Sequence, residues 1–261
     1  MGQCGRGQHR DHMVLLLVLV VLLSPSLVRM GLGDLTNKSF MKVVSTLPSD
    51  VSKCILAVYQ MEVSTRIACA AMCNQTPSCR LYCVLGVECT MLKAFVTQYW
   101  GGSTDVDAYA FTSCYSSWAN HRDVGGLAIT SSIVYADANS IDSKAVDGYY
   151  CRKDYGCYLA GSFLAQPWWL ADMGSPVDVI AIRLMTRDGG ALIMFENAEV
   201  RVGNSSDFGT NPLLATYPGS AKGIEVAMEG TSSIKGRYVS IQLLGSGIKF
   251  ALAEVQILKP H

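Results

Sequence analysis

Four segments in the later part of the chain alternate apolar and polar residues with period two: VDVIAIRLM (177–185), NAEVRVG (197–203), GRYVSIQLL (236–244) and LAEVQIL (252–258). Gly, Asn, Ser and Pro separate them, and no helical stretch intervenes. This pattern predicts antiparallel strands of a β-sandwich or jelly roll. The run PWWLADM (167–173) fits the same reading. Adjacent strand residues point to opposite faces, so one of Trp168 and Trp169 packs inward and the other meets a second layer or the surface.

The earlier part is patterned differently. VSTRIACAAMCNQTPSC (63–79) predicts one short helix, capped by Ser or Thr and ended by Asn74 and Pro77. Cys69 and Cys73 lie four apart on one helix face, as expected of a helix tied to a neighbouring sheet. CRLYCVLGVECTML (79–92) predicts two strands around a Gly turn. Of the ten cysteines, seven fall between Cys54 and Cys114 and two, Cys151 and Cys157, lie in the remainder. A short disulfide-dense domain followed by a larger one that relies on burial is therefore expected, with a linker at 117–125.

The first residues change the setting of these cysteines. Arg6 and Arg10 precede an unbroken apolar run from Met13 to Leu23, which is followed by small and polar residues. Residues 1–33 read as a secretory signal peptide, too short to span a bilayer. Ser24-Pro25-Ser26 and Gly31-Leu32-Gly33 both offer a cleavage site, and the mature chain is expected to start between Leu27 and Asp34. Export permits disulfides and gives meaning to the acceptor patterns at Asn37, Asn74 and Asn204. Lys and Arg balance Asp and Glu at 21 each, with no basic block, so nothing points to a nucleic-acid partner. Beyond the leader only His121 and His261 occur, and no base, nucleophile and orienting set can be assembled. The chain is expected not to be an enzyme.

Residues 38–116 resemble the PAN/apple family, through a helix with C-x-x-x-C, a following cysteine strand and flanking cysteines. The resemblance implies a small disulfide-rich α+β domain with bridges Cys69–Cys89, Cys73–Cys79 and Cys54–Cys114, leaving Cys83 unpaired. Such domains are adhesive modules for proteins or carbohydrates. Residues 126–259 resemble the F-type lectin (fucolectin) branch of the discoidin, or coagulation factor 5/8 type C, superfamily. The motifs are SS, A-V-D-G, P-W-W-x-x-D, A-E-V-x-V-G, N-P, G-R-Y-V and A-E-V, in that order. This implies a discoidin-like jelly-roll β-sandwich and a mainly β protein overall.

The family's fucose site, as the resemblance implies, uses a histidine, an Arg-x-Asp and a further basic residue. Arg187 matches the first arginine. Gly189 falls at the aspartate and Met194 at the second basic position, while the histidine position falls near Leu159 or Ala160. Asp188 offers a carboxylate one residue early. Arg187, Asp188, Trp168 and Met194 are thus the expected ligand-binding residues, with an apolar rim at Ala160 and Met194. The family's structural calcium maps to Asp147 and Glu254, although its Asn and Ser positions are Lys144, Tyr149 and Gly156 here. Cys157 would lack its family partner, replaced by Ala253, so a Cys151–Cys157 loop is expected.

The chain therefore reads as a secreted glycoprotein for carbohydrate recognition or adhesion, of the sort used in innate recognition, that binds a glycan or glycoprotein. The alternatives are a protein-interaction scaffold without sugar binding and a binder of phospholipid surfaces through Phe163, Leu164, Ile193, Met194 and Phe195. Self-association is left open.

Overall fold

The computed structural model describes residues 38–261 apart from 44–45, 63–65, 105, 112, 136–139, 152–155, 162 and 190–191. The leader and Asn37 lie outside the described residues. In chain order the first half carries β1 (Met41–Val43), β2 (Thr46–Leu47), β3 (Ile55–Gln60), α1 (Arg66–Gln75), β4 (Leu81–Leu85), β5 (Glu88–Leu92), β6 (Phe95–Val96), β7 (Tyr109–Ala110) and β8 (Ser113–Ser116). The second half carries β9 (Ala128–Ser131), β10 (Tyr149–Tyr150), β11 (Tyr158–Leu159), β12 (Trp168–Thr186), β13 (Glu196–Gly203), β14 (Leu213–Ser220), β15 (Glu225–Leu243) and β16 (Ala251–Leu258). The protein is mainly β, and the strand pairs are antiparallel.

The period-two segments form a sheet in the order β11-β16-β12-β15-β13-β14, with β9 also on β12. β12 and β15 are 19 residues each, longer than the alternating runs that reveal them. Their ladder is interrupted between Asp172 and Val177 and again between Val179 and Ala181. Such irregularities bend a strand and raise its twist, and Gly174, at φ 74°, lies within the first. Before the bend β12 pairs with β9, and beyond it with β16. Each long strand thus serves both layers of a jelly-roll sandwich. Trp169, Val200, Val202, Val239 and Ile241 meet Ile182, Leu184, Val226, Val255 and Ile257 in one core. Trp169 is fully buried, while Trp168 is half-buried against Phe208, with ring centroids 5.3 Å apart. The two neighbouring tryptophans do face opposite ways.

In the first half the sheet order is β1-β8-β4-β5-β3. Cys69–Cys89 ties α1 to β5, and Cys73–Cys79 ties it to the turn that follows. The other cysteines depart from expectation. Cys83 is not unpaired: it bridges Cys114, its direct partner across β4 and β8. Direct cross-strand partners bring their Cβ atoms close enough for bonding. Cys54 consequently pairs not with Cys114 but with Cys151, across the two halves. No Cys151–Cys157 loop forms. Cys157 belongs to none of the four bridges among the described residues and is buried with Phe95, Trp118, Tyr150, Met185 and Ala253.

The connecting residues are not a solvated tether. Trp118 is fully buried, and Ala119 and Asp123 nearly so. The halves also share backbone and charge contacts. β6 pairs with β10. Arg80 meets Glu225 at 3.0 Å, and the Glu225 carboxylate also accepts from Arg183 and from Trp118 Nε1. Arg183 lies 4.4 Å above the Trp118 ring. The outer face of β16 is covered in this way, and all eight of its residues are buried. Gln256, a polar position of the alternating pattern, donates to the Trp118 carbonyl and to Asp123 instead of meeting water.

Candidate functional site

β12 ends at Thr186, and Arg187 and Asp188 open the loop that leads to β13. Arg187 Nη1 donates to Met194 Sδ at 3.5 Å, which closes the two ends of this loop on each other. Lys93, from the first half, reaches the Asp188 carboxylate at 3.9 Å. Buried Tyr150 lies within electrostatic reach of both Arg187 and Asp188. Phe95 packs on Tyr150 with ring centroids 6.1 Å apart. The first half therefore lies beside Arg187 and Asp188.

Arg187 and Met194 come together, Asp188 turns to Lys93, and Trp168 stands with Phe208 on the outward side of its strand. The apolar rim expected at Ala160 and Met194 is not a rim. Both residues are buried, because Ala160 and Ala251 hydrogen-bond into neighbouring segments, Ala160 N–H to the Phe250 carbonyl and Ala251 N–H to the Met194 carbonyl. Of the five apolar residues named for a membrane surface, Phe163 and Ile193 are exposed, Leu164 is half-buried, and Met194 and Phe195 are interior. Lys93 and Tyr150 were absent from the sequence reading. Lys93 carries no motif, and only the packing of the halves brings it to Asp188. Asn204 is exposed after β13, and Asn74 is half-buried with its side-chain oxygen accepting from Lys38 N–H.

A second constellation surrounds the short helical turn Asp142–Val146, which positions Asp147 beside β16. Asp147 Oδ2 accepts from Lys144 Nζ at 3.0 Å and Oδ1 from Tyr149 N–H at 3.1 Å. Burial still holds its carboxyl above the usual carboxylate range. Glu254 is fully buried and Oε2 has no hydrogen-bond partner among the described residues. Burial, with the charges of Asp147 and Asp123 added, keeps its carboxyl well above the ordinary value. Glu254 and Asp123 line a cavity of about 200 Å³ with Thr97, Tyr99 and Gly125. Burial pushes Asp123 up to about 7, against hydrogen bonds from Gln256 and the Ile257 N–H.

The raised Asp123 fixes a direction of pH dependence. The folded chain keeps a proton that the unfolded chain releases near pH 4, so stability falls as pH rises from about 4 to about 7. Between pH 5 and pH 8 the loss from this group is about 2.5 kcal/mol. Thermal unfolding should occur about 5 to 10 °C lower at pH 8 than at pH 5. Asp123→Asn should flatten that slope; an unaltered slope in this variant would remove Asp123 as its source.

No family model matches the chain, and no curated protein matches it. Solved structures do. The fucolectin from striped bass serum is 24% identical over 51% of this chain, with a TM-score of 0.46. The chain covers 46% of that protein, less than half its length. The lectin domain of lectinolysin complexed with Lewis B antigen is 21% identical over 54% of this chain and 99% of its own, TM-score 0.44. A family 32 carbohydrate-binding module from a Clostridium perfringens glycoside hydrolase is 18% identical over 53% of this chain and 98% of its own, TM-score 0.45. At TM-scores below 0.5 these likenesses settle neither ligand nor site. They lend no support to a PAN/apple domain in residues 38–116.

Proposed function

We propose that the chain is a secreted, non-enzymatic carbohydrate-recognition or adhesion protein whose F-type lectin-like site has been remodelled. The observation that carries this reading is Arg187 at the head of the 187–195 loop, on a sandwich whose motifs run in the order of F-type lectins. A guanidinium held at a loop entrance donates fixed hydrogen bonds to hydroxyl and ring oxygens. The fucose constellation itself is incomplete. With Gly189 and Met194 in place of an acid and a base, several charge-assisted bonds of about 1.5 to 3 kcal/mol each are missing. Free L-fucose is accordingly disfavoured, and with Ala160 and Met194 buried no apolar rim replaces the missing bonds.

One observation favours a second reading, a protein-interaction scaffold. Lys93 engages Asp188, and Phe95 packs against Tyr150, so the first half shares the ground that a sugar would need. A glycan array separates the two. Binding by the wild type that Arg187→Ala abolishes, with an unchanged melting curve, supports recognition at this loop. A blank array, or binding indifferent to Arg187, hands the protein to the scaffold reading.

A further inference from the structure

The calcium ion implied by the lectin resemblance needs six to eight oxygen ligands at about 2.3 to 2.6 Å. Among the described residues, the side chains at the positions that the resemblance assigns to the ion do not supply them. Lys144, at one family ligand position, has only donors. Gly156, at another, has no side chain. Tyr149, at the third, sends its hydroxyl away to Asp50 Oδ1 at 3.0 Å. No group of three or more His, Cys, Asp or Glu side chains suited to a metal occurs among the described residues. The carboxylate that would anchor the ion is already engaged. Asp147 gives one oxygen to Lys144 and the other to the Tyr149 N–H. An ion on Oδ2 would lie within roughly 5 Å of the Lys144 ammonium, a like-charge contact in a partly buried place.

We infer that the Lys144 ammonium takes over the place and the charge of that ion, so that this sandwich is held by an internal cation and is indifferent to calcium. The turn keeps its place beside β16 without a metal, with the Gly148 backbone close to the Glu254 carboxyl. Asp147 then acts as the partner of a side chain three residues earlier, and the ammonium is delivered with the chain at no cost in ion binding. This inference does not depend on what the 187–195 loop binds.

The full chain, purified in chelator, decides the matter by thermal unfolding with and without millimolar calcium and by terbium titration read through tyrosine and tryptophan sensitisation. The wild type is expected to melt at the same temperature in both conditions and to show no saturable terbium signal. Lys144→Met, which keeps the stem and removes the charge, should melt roughly 2 to 4 °C lower. Lys144→Asn, which offers an oxygen in place of the ammonium, should gain a calcium-dependent rise. A wild type that calcium stabilises or that binds terbium saturably overturns the inference. So does a Lys144→Met protein as stable as the wild type. If that variant fails to fold, the two wild-type measurements still give the answer.

Discussion

Replacing Cys54 or Cys151 with serine is expected to lower the stability of the folded chain by about 4 to 5 kcal/mol. The bridge closes a loop with a sequence separation of 97, by far the widest of the four. In the chain-entropy account, a cross-link over that span removes much of the freedom of the unfolded state. The bridge also fastens the turn before β3 to the residue after β10, so its loss should be felt in both halves at once. Denaturant titration under non-reducing conditions measures the effect, and peptide mapping checks the pairing. A map joining Cys54 to Cys114, or a serine variant with an unchanged midpoint, would refute it. Cys157→Ala is the control, since it should leave the four bridges intact.

Glu225→Ala should cost a similar amount, about 3 to 5 kcal/mol. Glu225 opens β15 and faces two guanidiniums, Arg80 from the first half and Arg183 from β12, with the Trp118 indole N–H at 3.4 Å. Removing the carboxylate leaves two cations facing each other beside a buried indole. Burial alone would raise the carboxyl of Glu225, but the two arginines outweigh it and hold it below its ordinary value. Its contribution is therefore complete above the unfolded value near 4.5 and is lost as pH falls through the lower folded value. Glu225 thus contributes to the acid limb of the stability profile, whereas Asp123, with the likewise raised Asp147 and Glu254, acts in the opposite direction at higher pH. A Glu225→Ala protein with wild-type melting and an unchanged acid limb would show the cluster to be energetically idle.

The strands of the sandwich were legible because their alternation is a local property, and the opposed tryptophans followed from it. Alternation did not reveal that β12 and β15 run through both layers, since a bend at Gly174 leaves the period on either side intact. Nor does it tell a polar residue facing water from one facing a second protein surface, and Gln256 and Glu254 belong to the latter kind. Of the three bridges that the PAN/apple resemblance implied, the two that form are the local ones. Cys69–Cys89 and Cys73–Cys79 link a helix to segments close behind it in sequence. Cys83–Cys114 and Cys54–Cys151 depend on strand pairing and on the packing of the halves, which the spacing of cysteines does not encode. Arg187 was found through a motif, but the engagement of Asp188 by Lys93 needed the first half in place. Lys144 was visible as a departure from the lectin pattern, and its partner became clear only with the geometry of the turn.

The buried segment around Trp118 bears on how such a protein can be inherited. Protein repertoires are often enlarged by copying a module whole and splicing it between others. Here a cut at residues 117–125 would strand the Trp118 indole on one piece and the Arg183 guanidinium that covers it on the other. It would also leave Gln256 on a central strand facing solvent in place of the Trp118 carbonyl. Neither piece would be a ready-made cassette, so the two halves should be found together, in this order, wherever descendants of this gene occur.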